Sequence, residues 1–261
     1  MNRNKFPRNQ NGTTLLELIF GMLIASIIIY CVFKAWNYFD MQTRREKYKA
    51  ELQRDMITVT NIIERDIRMA GCGLPGNGVY VNIAASANDE IELYTNEDGR
   101  STGLAQDAQP VHTTIYVNDA SIFTAGSAVC LAGTDTIYRT IQHVGINPTG
   151  DDTLVLTERI NTAMPLWAAS SAAYPARKTK YEICAAGTGF SLKRSRNGNG
   201  MNLGGKLDSM EVKPKDKVGN ILAGNGKGAS VITVVMGGYV GSGGNRVFLA
   251  ESTEVNIRNN F

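Results

Sequence analysis

A long apolar segment lies near the start of the chain. From Leu15 to Phe33 only Glu17 is charged. Nineteen residues form roughly 28 Å of helix at about 1.5 Å per residue, which is enough to cross the hydrocarbon core of a bilayer. A carboxylate near the start of such a segment is costly in lipid and indicates a functional role.

Beyond this segment the helical pattern becomes amphipathic. Apolar residues recur every three or four positions with charged residues between them, which predicts a helix with one buried stripe. No Pro or Gly interrupts residues 22–70, so we expect one helix from about Thr13 to about Ala70. The stripe comprises Tyr48, Leu52, Met56, Val59, Ile63, Ile67 and Ala70.

The rest of the chain has the pattern of short strands separated by turn residues, which is typical of antiparallel sheet. We expect an α+β protein with a β-rich head. The residues from 197 to 228 are rich in Gly, Asn and Lys, and we expect a long loop there, with an exposed contact loop as the alternative. The expected strands are 79–83, 90–94, 113–117, 127–131, 136–143, 153–157, 181–184, 190–193, 231–236, 246–249 and 254–258.

A glycine-rich segment, Gly71-Cys72-Gly73-Leu74-Pro75-Gly76, follows the predicted helix. Gly just past a helix with Pro soon after is a normal helix stop. The segment also matches G-x-G-x-x-G, but a dinucleotide site needs a strand before the glycines and a helix after them. The helix stop is therefore the better interpretation.

The start of the chain resembles a known export signal. Gly12-Thr13-Thr14-Leu15-Leu16-Glu17, behind a basic leader with Arg3, Lys5 and Arg8, resembles the class III signal of type IV pilins. The resemblance implies that prepilin peptidase removes the leader 1–12 by cutting between Gly12 and Thr13, and that Thr13 is then N-methylated. It implies an assembly role for Glu17 as the fifth mature residue. Thr13 stands where this family usually has Phe, and Lys34 where major pilins often have Pro.

A second, narrower resemblance lies at the end of the helix. The segment from Ile63 to Gly73, Ile-Glu-Arg-Asp-Ile-Arg-Met-Ala-Gly-Cys-Gly, is similar to that of PilW-like minor pilins and of the J-type minor pseudopilins of type II secretion. The implied organisation is a leader (1–12), a transmembrane and filament-core helix (13–33), an amphipathic half with its C-cap (34–75) and a β-rich head (76–261).

Charge and cysteine content limit the possible functions. The formal net charge is +3, and the leader holds three of the 27 basic residues. The remaining 27 − 3 = 24 basic residues balance 24 acidic ones, which removes the simplest argument for nucleic-acid binding. Cys31 lies in the apolar helix, whereas Cys72, Cys130 and Cys184 lie in the exported part, where one disulfide could form with its pairing open.

Catalytic and metal-binding motifs do not stand out. There are two histidines, no H-E-x-x-H motif and no paired C-x-x-C, so we expect no enzyme activity, metal or cofactor. The expected partners are prepilin peptidase, the inner membrane before assembly, and other pilins through the N-terminal helix. We expect a minor pilin in a type IV pilus at the cell surface. A type II secretion pseudopilin and a pilus-associated adhesin or DNA-uptake subunit are the alternatives.

Overall fold

The computed structural model describes residues 15–83, 89–109, 111–133, 136–160, 171–186, 189–205, 207–222, 228–240 and 247–257. The chain divides into two compact units, an N-terminal unit of residues 1–50 and a head of residues 51–261. One helix followed by antiparallel strands confirms the predicted α+β class.

The secondary structure contains one long helix and thirteen strands in the described part of the chain. They are α1 Leu15–Met69, β1 Val79–Asn82, β2 Glu90–Thr95, β3 Thr102–Gly103, β4 Thr114–Val117, β5 Ala128–Ala132, β6 Thr136–Gly145, β7 Asp152–Leu156, β8 Ala172–Ala186, β9 Gly189–Arg196, β10 Asn199–Gly205, β11 Ser209–Lys215, β12 Val231–Val240 and β13 Val247–Asn256.

The end of α1 forms one side of the main core of the head. Its apolar stripe is buried from Leu52 to Ala70, with Ile63 and Ile67 wholly inaccessible. The predicted stripe is therefore confirmed, except for its first residue. Tyr48, which belongs to the N-terminal unit, is 49% exposed, so the buried stripe begins one turn later than predicted.

Two antiparallel sheets contribute the opposite side of this core. The first has the order β1-β2-β8-β9-β10, and only the second half of β8 takes part in it. The other has the order β11-β12-β13. Alternate residues of these strands point inward, as the period of two in a strand requires. The inward residues include Ile91, Leu93, Tyr181, Leu192, Val212, Ile232, Val234 and Val255.

The remaining strands close into a ring. The first half of β8 pairs with β5, which pairs with β6, then β7, then β4. β3 pairs with β8 and continues into a bridge between Leu104 and Val117 of β4. The six strands β3 to β8 thus form a closed barrel, here called the ring, around a second apolar core.

The chain enters and leaves the ring at neighbouring positions. Thr95, the last residue of β2, pairs directly with Arg177 of β8. All six ring strands come from the stretch between these two residues, apart from the second half of β8. The ring is therefore an insertion at the end of a β2–β8 hairpin.

The prediction of a long loop over 197–228 is wrong for its first half. Asn197 and Gly198 have φ of 47° and 86° and connect β9 to β10, as the positive φ of a two-residue hairpin turn requires. β11 then lies within the same stretch. The predicted strands 246–249 and 254–258 belong to one continuous strand, β13.

Candidate functional site

The apolar half of α1 carries the residues that sequence analysis singled out first. Gly12 and Thr13 lie outside the described residues. Glu17 lies in the first turn of α1, where the helix dipole favours a negative charge. α1 is long and apolar enough to cross a membrane by length and composition, and none of the most apolar part of the helix is buried inside the described protein.

Exposure of this segment extends over all its faces. Leu15, Ile19, Leu23 and Ile28 are each more than half exposed. Exposing such a surface to water is unfavourable, because burying each Leu or Ile side chain gains roughly 1.5–3 kcal/mol. The segment therefore needs an apolar environment outside its own chain, either lipid or another protein.

The G-x-G-x-x-G segment has a structural role at the end of α1. Gly71 and Gly73 have φ of 75° and 69°, a conformation that favours glycine. A Cβ on Gly73 would lie 2.2 Å from the Asn96 carbonyl oxygen. The Asn96 amide donates to Gly73 O (3.1 Å), and the Asn96 N–H donates to Cys72 O (2.8 Å). The glycines thus join the helix end to the end of β2, as the helix-stop interpretation requires.

A buried charged cluster, which sequence analysis missed, fixes α1 to the sheet. The Tyr181 hydroxyl donates to Asp66 Oδ2 at 2.6 Å, and Arg194 donates to the same oxygen. Asp66 is 8% exposed and Tyr181 is fully buried. Burial, and next the Asp66 carboxylate, raise the pKa of Tyr181. The phenol therefore stays protonated and acts as a hydrogen-bond donor.

A cleft of about 600 Å³ lies between the ring and the sheet that carries β1 and β2. Tyr94 and Tyr138 both line it and stack on each other, with ring centroids 4.1 Å apart. The Glu92 carboxylate accepts from the Tyr94 hydroxyl at 2.7 Å and pairs with Lys178 at 2.6 Å. Burial is the main cause that raises the pKa of both phenols. Both phenols therefore stay protonated, and the Glu92–Lys178 ion pair lies beside them in the lining of the cleft.

The three head cysteines are free thiols in the structure. Cys130 of β5 pairs in register with Tyr174, ten positions before Cys184 on β8, or roughly 30 Å along a strand. A disulfide needs Cα atoms within about 7 Å, so this fold excludes a Cys130–Cys184 bridge. Any disulfide among the three head cysteines would therefore include Cys72, and the presence of such a disulfide stays a prediction.

The described residues contain no cluster of three His, Cys, Asp or Glu side chains that could hold a metal. His143 lies on the exposed side of β6.

A search of protein-family models, curated proteins and solved structures finds no match to this chain. The architecture is a long N-terminal apolar helix followed by an antiparallel β-rich head, and this is compatible with a pilin-like protein.

Proposed function

We propose that the chain is a minor subunit of a type IV pilus and enters the filament through α1. One observation carries this proposal. The same helix is exposed and apolar around Leu15–Phe33 and is buried in the head from Leu52 onward. The first part thus needs a partner from outside the chain, and the second part fixes the helix to the head.

Two environments can cover the apolar part in succession. Before assembly the bilayer covers it, since its length matches the hydrocarbon core. In a filament the same surface is buried against the helices of other subunits. An anchor that served only to hold a head at the membrane would not need a carboxylate in its first turn.

Glu17 has a specific role in this proposal. A carboxylate at the centre of a bilayer costs roughly 2.5–3.5 kcal/mol on insertion scales, and less near the end of the span. Resemblance to pilins supplies an opposite charge in the filament, the α-amino group created by cleavage before Thr13 on a neighbouring subunit. Removing one member of a buried pair leaves the other charge buried without a partner, at a cost of about 3–5 kcal/mol. Correct pairing therefore favours addition of a subunit in register.

The test compares Glu17→Gln with Glu51→Gln, an exposed acid on the same helix, in sheared filaments and in membranes. We expect both variants in the membrane fraction and only the Glu51 variant in filaments at the normal level. Gly12→Val should keep the leader attached and hold the protein in the membrane. Normal filament incorporation of Glu17→Gln, or an assembled protein whose mass does not begin at Thr13, would contradict the proposal.

A pseudopilin of type II secretion is the second candidate, because the segment Ile63–Gly73 resembles J-type pseudopilins as well as PilW-like minor pilins. Genes for secretion-channel components beside this one would favour it, whereas genes for other minor pilins would favour the pilus.

A further inference from the structure

The aromatic residues of the N-terminal unit are concentrated in one short part of α1. Between positions 15 and 29 the only aromatic residue is Phe20, whereas the next ten residues contain five. Each of the five is between 62% and 72% exposed. We call this set the aromatic girdle, and it consists of Tyr30, Phe33, Trp36, Tyr38 and Phe39.

The girdle surrounds the helix. At about 100° per residue, its five side chains point in directions of about 0°, 300°, 240°, 80° and 180°, so no gap exceeds about 100°. A helix that packs on one protein surface concentrates its aromatic residues on one face. An arrangement on all faces fits an environment that is the same on every side.

The girdle also marks a boundary in polarity. On its N-terminal side the chain is uncharged as far as Glu17, and on its C-terminal side Asp40, Arg44 and Arg45 follow at once. The first charge, Lys34, lies within the girdle, with its Nζ 5.7 Å from the centre of the Tyr30 ring. Tyr and Trp rings prefer this boundary because one part of each ring is apolar and the other forms hydrogen bonds.

We propose that the aromatic girdle is a lipid-binding surface that sits at the membrane–water interface and sets the depth of α1 in the bilayer. Its partner is the glycerol and upper acyl region of the phospholipid leaflet on the head side. Trp36 and Glu17 are nineteen residues apart, or roughly 28 Å of helix, close to the thickness of the hydrocarbon core. With the girdle at one interface, Glu17 reaches the opposite interface, where its charge meets water and headgroups.

This inference rests on the membrane stage of the proposed function, and one experiment separates the two. The chain contains two tryptophans, so the Trp167→Phe variant of the full chain leaves Trp36 as the only indole. The protein is incorporated into phosphatidylcholine vesicles with bromine atoms either near the headgroup end or near the tail end of the acyl chains. Vesicle flotation and quenching of Trp36 fluorescence are then measured.

A matched variant reports the bilayer centre. It carries Ile27→Trp together with Trp36→Phe and Trp167→Phe, which moves the single indole nine residues, or roughly 14 Å, toward the middle of the apolar segment. We expect Trp36 to be quenched more by shallow than by deep bromines and the Ile27→Trp variant to show the opposite order.

Each other outcome overturns the inference. If the protein floats with vesicles but Trp36 is quenched mostly by deep bromines, or by an aqueous quencher alone, the aromatic girdle does not lie at the membrane–water interface. The membrane stage of the proposed function would then still stand. Protein that does not float overturns both.

Discussion

Removal of the Asp66 carboxylate should unfold the head at a lower temperature than any surface substitution on α1. In Asp66→Ala the guanidinium of Arg194, whose side chain is 14% exposed, and the hydroxyl of the fully buried Tyr181 both lose their acceptor. Breaking a buried ion pair from one side costs about 3–5 kcal/mol. For a domain of this size each kcal/mol lowers Tm by about 2–4 °C, which predicts a decrease of about 6–20 °C.

Two further variants separate the contributions within this cluster. Tyr181→Phe removes only the hydroxyl and keeps the ion pair, so it should cost about 1.5–3 kcal/mol, the range for a hydrogen bond to a charged group. Glu64→Ala is the matched control because Glu64 pairs with Arg68 on the same helix, where the Arg68 side chain is 55% exposed. The Glu64 side chain is itself 24% exposed, and an i,i+4 ion pair on a helix contributes about 0.3–0.5 kcal/mol.

The assay is thermal unfolding of the full chain in a mild detergent, followed by the circular dichroism of the sheets. A decrease for Asp66→Ala no larger than that for Glu64→Ala would refute the argument. pH offers a second readout. Burial raises the pKa of Tyr181 above its ordinary value of about 10, so the unfolded chain ionises first and stability is lost as pH rises above about 10. Tyr181→Phe should show a smaller loss.

Three other predictions concern the head. Ile63→Asp should abolish cooperative unfolding because it puts a charge into the main core, whereas Lys49→Asp should change Tm little; equal effects would show that the stripe does not pack on the head. Gly73→Ala should lower stability by about 1–3 kcal/mol, since it combines a positive φ with a clash against Asn96 O, and urea denaturation that matches the parent would contradict this. In the native protein Cys130 should resist iodoacetamide at pH 8, because it is fully buried and burial raises its pKa to about 12; peptide mapping that finds it labelled as fast as Cys72 would oppose this.

Local patterns predicted the helix and most strands, because their signals lie in neighbouring residues. The stripe from Leu52 to Ile67 has the period of a helix, and the first strand was predicted to within one residue of Val79–Asn82. The Asn197-Gly198 turn was also a local signal, since Asn-Gly between two strand-like segments is a strong indication of a hairpin. The glycine content around it favoured the wrong interpretation.

Long-range contacts could not be predicted from the sequence. Asp66 meets Tyr181 and Arg194 across 115 and 128 positions, and nothing in the local pattern marks it as different from the other charged residues of α1. Closure of the ring depends on the pairing of Leu104 with Val117, where β3 itself has only two residues. Such pairings follow from the whole fold rather than from a segment.

The pairing of Thr95 with Arg177 makes the ring an exchangeable module. If residues 98–174 were replaced by a short turn, β2 and the second half of β8 would still be consecutive arms of one hairpin, and the core that holds α1 would keep its strands. Evolution and protein engineering can therefore vary the ring, in size or in surface, without altering the frame that attaches the head to its helix. One N-terminal helix could in this way be combined with many different inserted rings.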